Sequence, residues 1–334
     1  MAAMNPYFER QRPFTPIGRR ALPRGGAAWP ALPLERWRDT YRTLHLYAQI
    51  VGKIRLALTP KTNQWWNVPF YLGPRGFRTS PMTYPSGSVA GCRTFEIAFD
   101  FVRHELEVSD SDGRVRTLAF VPALSVAEFH RELHRILAGL GIEVRIRPRP
   151  CELPVRTPFA HDTSHRTYVA SDAEAFFHVL RRVYPVFETF RAGFRGKCSP
   201  VHFFWGQFDL AVTRYNGWRM PTPPGSEALR DRHDEEHISL GFWPGDAWSD
   251  LRDERSTLGA MFYSSTVPEP AGIAKHAVEP EGAYYLEERK QFVLPYEHVR
   301  SAPDPAQAIL SFAQSTYEAG AALAGWNPEA LAYP

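Results

Sequence analysis

The sequence predicts an α+β fold of two pseudo-repeated lobes, each a helix, a mostly antiparallel sheet and a closing helix. Three observations predict it. One order of features occurs twice: a helix, Gly52-Lys53, strands and Arg75-Gly76-Phe77-Arg78, then a helix, Gly196-Lys197, strands and Asn216-Gly217-Trp218-Arg219. Strand patterns follow one another across short turns, which pairs them antiparallel. Helices do not alternate with every strand, which disfavours a doubly wound sheet. Duplicated halves commonly pack about a pseudo-twofold axis, and clefts form along such axes.

Residues 1–30 are rich in Pro, Arg and Gly and read as a disordered or draped arm. The first lobe spans 31–150. Its opening helix carries Trp37, Tyr41, Leu44, Tyr47, Ile50 and Val51 at helical spacing and is expected to stop at Gly52. Short strands are then expected at Ile54–Leu58, Val68–Leu72 and Phe77–Thr79. Thr94–Val102 alternates, with Phe95, Ile97, Phe99 and Phe101 on one face, as a strand with one buried face does. Asp110-Ser111-Asp112-Gly113 turns Glu105–Val108 into Val115–Phe120. Ser125 and Glu128 stand at capping-box spacing before the closing helix, and Glu143–Arg147 reads as one more strand.

A Pro-rich connector over 151–170 separates the lobes, and the second lobe spans 171–334. Ser171 and Glu174 suggest another capping box, and Pro185 should kink the helix that follows. Strands are expected at Val201–Trp205, Phe208–Arg214, Ile238–Trp243 and Met261–Val267, with a turn at Tyr215-Asn216-Gly217 and a polar loop near 221–236. Tyr284–Leu286 and Gln291–Leu294 form a hairpin, and Asp304-Pro305 opens the last helix.

Composition bounds the function. The 334 residues are 44% hydrophobic and 22% charged, as in soluble globular proteins, with 22 Phe available for a core. No apolar stretch reaches the roughly 18 residues of a membrane span. The N-terminus has no apolar run after its charges, and Cys92, Cys151 and Cys198 are scattered without a CxxC pair. These features predict a cytoplasmic protein without a disulfide framework or zinc knuckle. The net charge of +3 is nearly balanced, which argues against nucleic-acid binding. Only five of the 39 basic residues are Lys; Arg forks suit carboxylates and phosphates, although biased codon usage explains the same excess.

Several groups carry possible chemistry. His45, Gln49 and Lys53 stack four apart on one helix face, so the stripe either faces solvent or lines a polar cavity. Asn63, Trp66 and Asn67 lie in a run of amides and indoles that offers paired hydrogen bonds and flat contact area, or seals a core edge. Cys198, His202 and Asp209 hold a thiol, a base and a carboxylate in the order a triad needs, with Lys197 beside the thiol. Alternation in a strand puts the direction of Cys198, beyond Pro200, in question, so an inert Cys and a structural His are the alternative. Arg75 and Arg214 are candidate anion grips. His233 and His237 have the outward look of a metal pair, but their segment reads as loop and strand, and no metal ligand is assigned. His130 and His134 lie on a helix whose other face is core. No phosphate-cradling glycine loop occurs, and the sequence names no cofactor.

The segments Trp29-Pro-x-Leu-Pro, Thr43-Leu-His-Leu, Gln49-Ile-Val-Gly-Lys-Ile-Arg-Leu, Trp65-Trp66-Asn67-Val-Pro, Gly196-Lys-Cys-Ser-Pro-Val-His-Phe-Phe-Trp-Gly and Gly241-Phe-Trp-Pro-Gly resemble a bacterial family labelled domain of unknown function 5996. The resemblance runs from about Trp29 to Trp326 and implies one unit rather than a chance assembly of domains. It brings no activity, cofactor or catalytic residue. Where that pattern carries Asn-His-Trp-Trp-Asn, this chain has Gln64. Two functions remain open: a small-molecule site between the lobes for a polar or anionic ligand, binding or catalytic with His202 or His45 as proton carrier, and a non-catalytic protein–protein interaction module displaying exposed aromatics.

Overall fold

The computed structural model describes residues 29–85, 92–221, 231, 233–249 and 258–331. Nearly all of the expected N-terminal arm, and most of the polar loop near 221–236, lie outside the described residues.

The first helix, α1 (Leu34–Leu58), is longer than its sequence pattern suggested. It runs through Gly52 and takes in Ile54–Leu58, where a strand was expected. Gly52 is not a stop. Trp205 lies against its Cα, and a Cβ there would sit 2.2 Å from the indole ring. Every residue from Thr43 to Arg55 is buried. A helix covered on all sides must find internal partners for each polar side chain it carries.

The first sheet contains β1 (Tyr71–Leu72), β2 (Gly76–Arg78), β3 (Met82–Pro85), β4 (Cys92–Asp100), β5 (Glu105–Asp110) and β6 (Val115–Ala119). Its order is β1-β2-β4-β5-β6, with β3 also on β4, and every pair is antiparallel. The alternation read in β4 places Phe95, Ile97 and Phe99 in the core. Asp110 accepts the backbone N–H groups of Asp112 and Arg114 at 3.0 Å each and so builds the expected hairpin turn. The capping box at Ser125 and Glu128 opens α2 (Val126–Gly139) as anticipated. No strand forms at 143–147.

The second half begins with α3 (Ala170–Ala192), which includes Pro185. The expected capping box is absent: Val169 is the N-cap, its N–H donates to Thr40 Oγ1, and Glu174 instead meets His104. The second sheet runs in the order β11-β12-β10-β9-β8-β7. Its strands are β7 (His202–Phe204), β8 (Asp209–Arg219), β9 (Glu235–Trp243), β10 (Met261–Val267), β11 (Tyr284–Leu286) and β12 (Gln291–Pro295). Instead of turning at Asn216-Gly217, β8 continues to Arg219 with a register shift against β9 after Tyr215. After α4 (Tyr296–Ser301) comes α5 (Pro305–Leu323), capped by Asp304 as its sequence indicated, and then α6 (Pro328–Leu331).

The two sheets meet at their edges. Phe70 and Phe203 exchange backbone hydrogen bonds of 2.8 Å in each direction. Their rings belong to one aromatic cluster, in which Phe77 stacks on Phe203 at 4.5 Å and Phe176 on Phe208 at 5.4 Å. Sequence-distant halves therefore share a core. Among the described residues, no helix is long and apolar enough to cross a membrane.

Candidate functional site

The burial of α1 settles where its polar stripe points: inward. His45 is 1% exposed and bonded on both ring nitrogens. Nε2–H donates to the carbonyls of Trp205 and Gly206, at 3.1 and 3.0 Å, and Nδ1 accepts from the Trp248 indole at 3.2 Å. These partners fix one neutral tautomer. Burial lowers its pKa to about 4, against the opposing pull of the two carbonyls. One turn on, Gln49 clamps the backbone of Cys151 from both sides, donating to its carbonyl at 2.9 Å and accepting its N–H at 3.1 Å. Lys53 lies beside the Cys151 thiol. The stripe thus ties the connector and the β7–β8 turn onto α1.

A pocket of about 360 Å³ opens next to His45. Tyr41 and His45 form its α1 wall, Glu152 and Leu153 come from the connector, and Gln207 comes from the β7–β8 turn. Trp243, Asp246 and Trp248 close the far side, with Arg289 from the β11–β12 turn. Burial raises the Tyr41 pKa well above the usual phenol range, and the charges of Asp209 and Asp246 push the same way. Both indoles carry a guanidinium: Arg289 lies 4.4 Å from the Trp243 ring and Arg42 5.5 Å from the Trp248 ring. The loop after β9 is pinned to α1, because Arg38 and Arg42 donate to the Ala247 carbonyl at 2.8 and 2.7 Å. Asp246 spends its carboxylate on that loop, accepting the N–H groups of Trp248 and Ser249 at 3.0 and 3.1 Å.

The backbone around this pocket is held in uncommon conformations. Glu152 and Phe208 have φ of 60° and 62° without being glycine. Gly245 has φ of 104°, and a Cβ on it would sit 2.8 Å from the Leu258 carbonyl. Conformations that cost about 1–3 kcal/mol each persist where surrounding contacts over-determine them, and they concentrate at ligand sites.

The other proposed residues are not gathered here. Cys198, His202 and Asp209 form no triad. His202 is fully buried on β7 among Trp66, Tyr71 and Phe204, with no hydrogen bond on either nitrogen. Burial, helped by Arg55 and Arg191, lowers its pKa to about 3. Asp209 accepts from the Tyr263 hydroxyl instead. Cys198 pairs with Arg214 across a β-bridge, and burial pushes its thiol up to about 11 despite the nearby guanidinium groups. A raised thiol pKa works against the thiolate that a nucleophile needs.

Neither anion grip is open. Arg75 is paired with Asp100 at 3.1 Å and Glu107 at 3.4 Å. Arg214 is 2% exposed in a cage of Phe190, Phe194 and Tyr317 and bonds the Phe190 carbonyl. Asn67 serves the loop after α1, bonding Thr62 N and Thr59 Oγ1, while Asn63 is exposed. Lys197 does not mirror Lys53: its ammonium lies over the Tyr215 ring at 4.6 Å and the Trp66 ring at 5.4 Å, bonded to Glu235 at 2.8 Å and Gln64 at 2.9 Å. His237 is buried rather than solvated, and stacks on His233 at 5.3 Å. Among the described residues, no three His, Cys, Asp or Glu side chains are placed to hold a metal ion.

Of the pocket's walls, only His45 had been singled out from sequence. Trp243 lies in the Gly241-Phe-Trp-Pro-Gly segment, but Glu152, Gln207, Asp246, Trp248 and Arg289 carry no motif of their own. The available signal was the turn chemistry of Trp205-Gly206-Gln207 and Trp243-Pro244-Gly245-Asp246.

The profile of a family of unknown function, DUF5996, matches residues 29–333, and the chain belongs to that family. No curated protein and no solved structure matches it.

Proposed function

We propose that this family member binds a small polar molecule, without covalent chemistry, in the pocket where α1 meets the second sheet. In this reading the chain is two pseudo-repeated lobes joined by the 151–170 connector, and the pocket draws walls from both. The observation that carries it is the pocket itself: about 360 Å³, within the usual size of ligand sites, walled by charged and aromatic groups on strained, firmly anchored loops. Binding is favoured over catalysis because His45, the base in the wall, already has both nitrogens engaged and is held neutral.

The test is a thermal-shift screen of sugars, organic acids, nucleosides and amino acids, run on wild type and on Leu153→Trp. The larger side chain fills space in the pocket from a half-buried wall position. A true ligand raises the wild-type midpoint and leaves folded Leu153→Trp unmoved. Equal shifts in both proteins, or none in either, would defeat the reading.

A further inference from the structure

Two groups of opposite charge face this pocket without having neutralised each other. Glu152 is placed by its left-handed backbone, φ 60°, with its carboxylate over Gly206 and Gln207 Nε2 donating to it at 2.8 Å. Arg289 is placed by the face of Trp243, 4.4 Å away. The hairpin that carries it is tied down, since Glu269 takes Lys290 at 2.9 Å and the Tyr285 hydroxyl at 2.6 Å. Among the described residues neither Glu152 nor Arg289 forms an ion pair. The remaining charged wall residue, Asp246, is committed to its own turn, and Arg42, beside Trp248, to the Ala247 carbonyl. A guanidinium lies over each of the two indoles, so charge sits beside ring surface in these walls.

We infer that the ligand is a small zwitterion of free amino-acid size, its ammonium end held by Glu152 and its carboxylate end by Arg289. This rests on the pocket being a binding site. Both groups are exposed; a ligand with both charges pairs with both at once, whereas a monoanion or monocation pairs with one and leaves the other to water.

The experiment measures Kd by calorimetry for the free L-amino acids, for each hit's α-amide and N-acetyl form, and for dipeptides carrying the same side chain. At least one free amino acid should bind, and removing either charge should weaken it about tenfold or more. Arg289→Met should erase the difference between acid and amide, and Glu152→Gln the difference between amine and N-acetyl form. Dipeptides binding as tightly as the free amino acid would make a peptide terminus the source and overturn the size assignment. Equal affinity for zwitterion, amide and N-acetyl form would overturn the inference. So would a Leu153→Trp-sensitive ligand that is uncharged, with no amino acid binding; the pocket would then stand. No Leu153→Trp-sensitive ligand of any kind would remove both.

Discussion

At the scale of single residues, the informative ones are buried polar side chains, because each must be satisfied or explained. His45 is satisfied on both nitrogens; His202, in the same interior, is not. Its aromatic neighbours offer ring faces, which are weak acceptors. Both imidazoles are neutral in the fold, with pKa values lowered from 6.5 to about 4 and about 3. Below pH 6.5 the unfolded chain takes up a proton that the folded chain refuses. Stability is therefore fully present above that pH and falls as pH drops towards the folded values, on the order of 1.4 kcal/mol per pH unit for each such group. His202→Phe should flatten this acid limb and leave stability at pH 7.5 equal or higher, since it removes unsatisfied atoms from an aromatic box. Urea midpoints between pH 4.5 and 7.5 check it; an unchanged slope would show that His202 is protonated in the fold. From sequence, His202 reads either as a triad base or as a structural His. Residue type was legible, but the partners of a β7 side chain come from the loop after α1, from β1 and from β7 itself.

At the scale of elements, three segments behaved as their patterns indicated. β4 alternates, α2 opens on its capping box, and α5 on Asp304. Two of the misread elements share a cause: tertiary contact replaced a local rule. Gly52 reads as a helix stop, yet it is helical, and Trp205, whose Nε1–H donates to the Val68 carbonyl at 2.9 Å, occupies the space of its missing side chain. In an open helix Gly→Ala gains about 1 kcal/mol. Here the new methyl overlaps a buried ring, and Gly52→Ala should instead cost about 1–3 kcal/mol. Equilibrium urea denaturation measures the sign, and a gain would mean the indole moves aside freely. Likewise the register shift after Tyr215 keeps β8 running past an Asn-Gly pair that reads as a turn.

At the scale of the molecule, the seam between the sheets is one pair of residues, Phe70 and Phe203, inside a continuous aromatic core. Phe203 is fully buried and touches rings from both halves, including Phe77 and Phe208. Phe203→Ala should cost about 3–5 kcal/mol. Because the halves share that core, unfolding followed by tryptophan fluorescence and by far-UV circular dichroism should give coincident curves. Two separated transitions would show that the halves fold apart. The sequence by itself determined the α+β class, most strands, the helix caps at Ser125 and Asp304, and the family, since these depend on local spacing and on the order of residue types. Only the tertiary structure decided that α1 is buried on all sides from Thr43 to Arg55 and that Glu152, Trp243 and Arg289 share a pocket with His45. Those are contacts across more than a hundred positions of chain, and no local periodicity encodes which distant loops a buried helix will bring together.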